Sequence, residues 1–196
     1  MIDTIVTKVK GFLLNPVETF RQSKTDEPTA VFTYFGVLLL FHAILCSLIA
    51  TLGMAVMPVF TGMPFGSAFP VMVFFMMLVG GCIGTLIAGA WLHLWVYILG
   101  GRKGIMQTMN AVMYGSTPRL VLGWIPFIGV IFALWSLALG ILGIRELQEM
   151  STGKAILAIA IAVIIPLIFF VLLAAYLLTS YMTVTAVPVA PANFVV

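Results

Sequence analysis

The first apolar pattern of the chain is short and helical. Ile2, Ile5, Val6, Val9, Phe12 and Leu13 fall on one helical face, with Lys8 and Lys10 on or near the other. Such a helix either lies in the interface of the inner leaflet or packs across the ends of a helical bundle. "NPVETF", residues 15–20, then reads as a second helix start. Asn15 suits the N-cap, Pro16 the first helical position, and Glu18 the N3 position, where it can bond back to the cap.

Beyond residue 28 the pattern turns almost continuously apolar. From Pro28 to Gly101 there is no Asp, Glu, Lys or Arg. A membrane span needs about 20 apolar residues. The Pro- and Gly-rich "MPVFTGMPFGSAFP", residues 57–70, divides this run into helices near residues 30–55 and 71–99. "GRKG", 101–104, closes the second, and "RELQEMSTGK", 145–154, is a polar loop before a last helix over 155–182 that contains Pro166. The segment 105–144 carries one charge, Arg119. As one helix it would be about 60 Å long against a core of about 30 Å. Pro126 after Trp124 offers a turn, so two helices are expected, 105–124 and 127–145. A re-entrant hairpin over the same residues gives the same sidedness.

Composition agrees with this reading. The chain of 196 residues is 63% hydrophobic and 8% charged, where a soluble domain carries about 25% charge. The expected fold is an all-α, polytopic membrane bundle of five transmembrane helices. It comprises a cytoplasmic amphipathic segment, 1–29, one five-helix domain, 30–182, and an external apolar, Pro-containing tail, 183–196. No secretory signal peptide precedes the apolar body. With five spans, eight of the nine Lys and Arg residues fall on one side, and the loops of the other side carry no charge. The positive-inside rule then puts the N-terminus in the cytoplasm and the C-terminus outside, in the cell membrane. The net charge of +3 forms no basic stripe of the kind nucleic acid requires.

Sites of reaction chemistry are not visible. No nucleophile elbow, phosphate loop, HExxH or paired carboxylates occur, so the chain reads as no enzyme, with no cofactor. Cys46 and Cys82 lie in apolar runs and read as small buried side chains. His42 and His93 differ by roughly 15 Å in depth at 1.5 Å per residue, too far apart to share a metal. Each reads as a hydrogen-bonded packing residue. The methionines Met54, Met57, Met63, Met72, Met76 and Met77 are too irregularly spaced for a copper site. Gly80, Gly84 and Ala88 repeat every four residues, as do Gly81, Thr85 and Gly89. Small residues so spaced allow close helix approach, inside the monomer or across a self-association face.

The "NPVETF" segment, "YGSTPRLVL" in the third span, the Gly-Trp-Ile-Pro turn and "ALWSLALGILGIRELQEMSTGKA" leading to the last helix together resemble the Yip family. These are small five-span proteins first known as partners of Ypt/Rab GTPases. The resemblance covers roughly residues 12–180. Eukaryotic members are linked to traffic between endoplasmic reticulum and Golgi and carry a long cytosolic N-terminal region. This chain has under 30 residues there and is similar to the short bacterial and archaeal members, so binding of a Rab-type GTPase is not carried over.

Arg119 is the single formal charge inside the expected spans. Pro118 before it clashes with the carbonyl of Tyr114 and should free carbonyls near Tyr114 and Gly115. Those carbonyls, the Ser116 and Thr117 hydroxyls, or a lipid phosphate are acceptors for the Arg119 guanidinium. Two functions follow. One is a non-enzymatic membrane-organising or interaction protein that engages lipids or membrane partners through its bundle and its N-terminal helix, with Lys8 and Lys10 at the membrane surface. The other is a small channel or transporter for a neutral or anionic solute, with a polar cavity near Arg119, Tyr114, Asn110 and His42. An intramembrane carboxylate, as cation coupling would need, is absent.

Overall fold

The computed structural model describes residues 2–56 and 66–186. Most of the external loop expected over 57–70 and the last ten residues of the tail lie outside them. Nine α-helices make up the described chain. They are α1 (Ile2–Leu14), α2 (Pro16–Gln22), α3 (Pro28–Val56), α4 (Phe69–Phe75), α5 (Gly81–Ile98), α6 (Ile105–Gly115), α7 (Thr117–Leu122), α8 (Gly129–Leu147) and α9 (Thr152–Ala186). A π-helical turn, Met76–Gly80, joins α4 to α5, so the second apolar run is one continuous helical rod.

Four helical stretches are long and apolar enough to cross a membrane: Pro28–Gly53, Gly66–Ile98, Gly129–Leu147 and Thr152–Met182. The remaining expected span is present as the pair α6 and α7, interrupted at Ser116. The break follows from Pro118. It sits in the first turn of α7, where its missing N–H costs nothing, and it starts a new helix rather than kinking an old one.

The chain forms two units, residues 1–159 and 160–196. In the first, α6 is the central element. Thr108, Met109, Asn110, Ala111, Met113, Tyr114 and Gly115 are all buried. Its mildly polar composition is therefore the composition of an interior helix, surrounded by α3, α5 and α8. Gly115 lets α6 and α8 touch: a Cβ there would stand 3.1 Å from the backbone of Gly140. The second unit holds the continuation of α9, whose apolar side chains from Val163 to Met182 are largely exposed, with Pro166 inside the helix. A lone proline is tolerated in such a helix.

The helix start at Pro16 occurs where the sequence places it, but the expected cap does not form. Asn15 makes no side-chain cap bond. Its carbonyl instead accepts from the Thr19 hydroxyl at 2.8 Å, and Glu18 accepts from Gln22 at 3.1 Å. The Asn15 N–H is already taken by the Gly11 carbonyl at 2.7 Å, which leaves a Glu18 side chain nothing to cap.

Candidate functional site: an aromatic knot and an arginine cleft

The two N-terminal helices are fastened to the bundle by aromatic side chains. Phe12 and Phe20 are both 0% exposed. The Phe12 ring stacks on Tyr114 at 4.7 Å between centroids and meets Phe20 edge-on at 4.8 Å. Tyr34 closes the cluster, 5.2 Å from Tyr114. Such pairs contribute about 0.5–1.5 kcal/mol each beyond the area they bury.

Polar atoms around the knot are satisfied in a chain. The Tyr114 hydroxyl donates to Asp26 at 2.5 Å and accepts from Lys8 at 2.9 Å, while Lys8 also pairs with Asp26. The Lys8 ammonium lies 4.9 Å from the centroid of the Tyr114 ring. The Thr117 hydroxyl donates to the Tyr114 carbonyl at 2.6 Å, so Tyr34 is the donor in its 2.9 Å bond to Thr117. Lys8, expected at the membrane surface, is thus engaged by a carboxylate and a hydroxyl of the bundle. Lys10 is exposed. Phe12 was marked by the apolar face of the first helix, but Asp26, Tyr34 and Phe20 had no local signal: each gains its role from partners distant in sequence.

The break between α6 and α7 brings its own acceptors and donors. Ser116 donates through its hydroxyl to the Met113 carbonyl at 2.7 Å and Thr117 to that of Tyr114. Of the carbonyls that Pro118 was expected to free near Tyr114 and Gly115, that of Tyr114 is therefore served by Thr117. The last four carbonyls of α7 are also served. Gly123 N–H donates to Arg119 at 2.8 Å, the His42 ring to Leu120 at 3.2 Å, the Trp124 indole to Val121 at 2.8 Å, and Ile125 N–H to Leu122 at 3.3 Å. With Nδ1 of His42 donating, Nε2 is left as acceptor for the Cys46 thiol at 3.4 Å.

The Arg119 guanidinium has no hydrogen bond or ion pair to any described residue. Its backbone alone is engaged, the N–H donating to the Ser136 hydroxyl at 2.9 Å and the carbonyl accepting from Gly123 N–H at 2.8 Å. The side chain lines a cleft of about 400 Å³ with His42, the Trp124–Phe127 turn and α8 residues Val130 and Ala133. Gly123 and Gly129 close the turn so tightly that a Cβ on either would fall within 2.3 Å of a backbone carbonyl oxygen. Phe127, at the rim, is 95% exposed and held at φ 65°, a left-handed conformation that is strained for a bulky residue. Of the residues expected around a polar cavity, the structure brings together Arg119 and His42. Tyr114, Ser116 and Thr117 belong to the knot and the break, and Asn110 is buried in α6 with its side-chain oxygen unpaired.

A sequence model of the Yip1 domain matches residues 10–190. The chain belongs to the Yip1 domain family. No curated protein and no solved structure matches it.

The family's expected parts have distinct places in this Yip1 domain. "NPVETF" supplies Phe20 to the knot, and "YGSTPRLVL" supplies both the knot's Tyr114 and the cleft's Arg119. The "IRELQEM" segment, the last turn of α8 and the turn after it, closes the polar end. Gln148 donates to the Gly104 carbonyl at 2.8 Å and to Thr108 at 2.9 Å, and accepts from Lys103 N–H at 3.0 Å. His93 shares Thr108 at 2.8 Å. Glu146 pairs with Arg21 at 3.0 Å and Arg145 at 2.6 Å, and Glu149 with Lys24 at 3.2 Å and Lys103 at 2.5 Å. Lys103 and Lys24 hold the Glu149 carboxyl below the usual carboxylate range. The three polar segments of the sequence thus meet at one end of the bundle.

The two small-residue stripes of α5 part company. A Cβ on Gly81 or Gly89 would run into Leu39 or Met109, so this stripe packs inward. Gly80 and Gly84 have nothing within 4 Å, and Ala88 is exposed.

Proposed function

We propose that this Yip1-family protein is a non-enzymatic organiser of the cell membrane, with its N-terminus cytoplasmic and its C-terminus external, acting on inner-leaflet lipids and on membrane partners. The observation that carries this reading is the position of α1. Its Thr4 and Lys8 line one cleft with Thr29 and Thr33 of α3, and its Ile2, Val6 and Val9 line another with Val37 and Phe41. Leu13 lies with Leu122 of α7 and Phe132 and Trp135 of α8. An amphipathic helix that crosses three membrane helices, polar edge toward their polar ends, lies in the plane of the interface. There Lys10 reaches anionic headgroups, worth about 1 kcal/mol near the surface. The outward stripe Gly80, Gly84 and Ala88 offers a face for self-association.

The test is lipid selectivity of the full chain in vesicles of mixed anionic and neutral phospholipid, read by quenching of its tryptophans with brominated lipids. Anionic lipid should be enriched around the protein, and salt or Lys10→Gln should weaken the enrichment. Equal quenching by both lipid classes overturns the reading. Solute flux in the same vesicles would favour a channel instead.

A further inference from the structure

Phe32, Val37, Leu40, Phe41, Ile44, Leu48 and Leu52 of α3 are exposed. At 1.5 Å per residue, the stretch from Phe32 to Leu52 measures about 30 Å, the thickness of a bilayer core. His42 is its middle residue. The His42 bond to the Leu120 carbonyl therefore sets α7 beside the middle of this apolar stretch. α7 ends two residues later, at Leu122, so the Arg119 cleft, which His42 also lines, stands along this apolar stretch rather than beyond its end. Non-helical backbone within such a stretch is tolerated where it is buried in protein or lines a water-filled cavity.

An arginine at this depth costs about 2.5–3.5 kcal/mol to insert even on the lenient scale. A structural role as acceptor-seeker for the helix break would explain that cost, but the freed carbonyls at Met113 and Tyr114 and all four C-terminal carbonyls of α7 are already engaged by other groups. The guanidinium instead faces a cleft walled by Ile125, Phe127 and Val130. Its fork of donors matches a phosphate bidentately. A free hydrated anion would have to shed its water to reach this depth. A phosphate that brings its own acyl chains keeps them in lipid.

We propose that the Arg119 cleft holds the phosphodiester of a phospholipid, drawn below the plane of its neighbours, so that the bilayer thins locally beside the α7–α8 turn. This deepens the lipid-engaging reading above and rests on it only in part: α1 acts at the inner surface, whereas this site is built from Arg119 and the α7–α8 turn and does not depend on Lys10.

The test uses the full chain in mild detergent, as wild type, Arg119→Gln, Arg119→Lys and Ala133→Phe, the last filling the cleft while keeping the arginine. Each is titrated with short-chain phosphatidylglycerol, with short-chain phosphatidylcholine and with inorganic phosphate, reading the melting temperature. Both phospholipids should stabilise the wild type. Arg119→Gln and Ala133→Phe should each need about tenfold more lipid or more for the same shift, the loss expected for a charge-assisted contact, and Arg119→Lys should fall between. Inorganic phosphate at equal concentration should do nothing. Equal lipid responses in all four proteins would overturn the site. An Arg119-dependent shift with inorganic phosphate would overturn the lipid as its occupant. Arg119→Lys and Ala133→Phe keep the test decisive if Arg119→Gln does not fold. Loss of anionic enrichment in Lys10→Gln, with these shifts intact, separates the two readings.

Discussion

Replacing Phe12 with alanine should release α1 from the bundle. The ring is fully buried and meets Tyr114, Phe20 and Tyr34 at 4.7, 4.8 and 6.2 Å. Three aromatic contacts at about 0.5–1.5 kcal/mol each give about 1.5–4.5 kcal/mol. The full transfer cost of a buried phenylalanine does not apply, because lipid or detergent covers the apolar surface that undocking exposes. The lower figure already raises the undocked population at least about tenfold. Cleavage after Lys8 by trypsin reads that population directly, since the Lys8 side chain is 22% exposed and engaged with Asp26 and Tyr114, and cleavage of a locally opened state follows its equilibrium population. In Phe12→Ala the cut after Lys8 should speed up at least about tenfold, while the exposed Lys103 site serves as control. An unchanged rate at Lys8 would refute the knot as the fastening of α1.

Other substitutions separate the packing surfaces. Gly115→Leu should lower the melting temperature steeply, because its side chain has only the Gly140 backbone to push against; a shift no larger than that of a surface substitution would contradict the close α6–α8 approach. Gly84→Ile should leave the fold intact, since nothing lies within 4 Å of its Cβ, but should weaken chemical cross-linking between copies in vesicles; undiminished cross-linking would remove this stripe as a self-association face. With Cys46 and Cys82 replaced, single cysteines at Lys103 and Ser151 should label only from the cytoplasm and one at Ala190 only from outside, and external labelling at Ser151 would reverse the proposed sidedness.

The long helices were legible because their signal is local. An uninterrupted apolar run over a bilayer's thickness can do little else, and α3, α5 and α9 end within a few residues of where polar or Pro/Gly segments stop them. The α6–α7 break was readable in kind but not in detail. Pro118 announces a disruption, yet whether Arg119 or the Ser116 and Thr117 hydroxyls meet the freed carbonyls depends on rotamers the sequence does not encode. Lys8 shows the same limit more sharply. Its place on the polar face of α1 suggests lipid, but its partners Asp26 and Tyr114 become neighbours only when α1 folds back on the bundle. The two glycine stripes of α5 have identical spacing, and only the packed helices around them distinguish inward from outward.

The in-plane position of α1 is the claim on which the functional account most depends, and depth measurement tests it most directly. Nitroxide labels at Ile2 and Leu14, the two ends of α1, are read in reconstituted vesicles by the ratio of oxygen to water-soluble nickel relaxation. The helix has 13 residues, so its ends lie about 18 Å apart along its axis. The account predicts both labels within about one helical turn of the same depth, near the inner headgroup–acyl boundary. Depths that differ by most of the helix length would show α1 running parallel to the spans, and would contradict it.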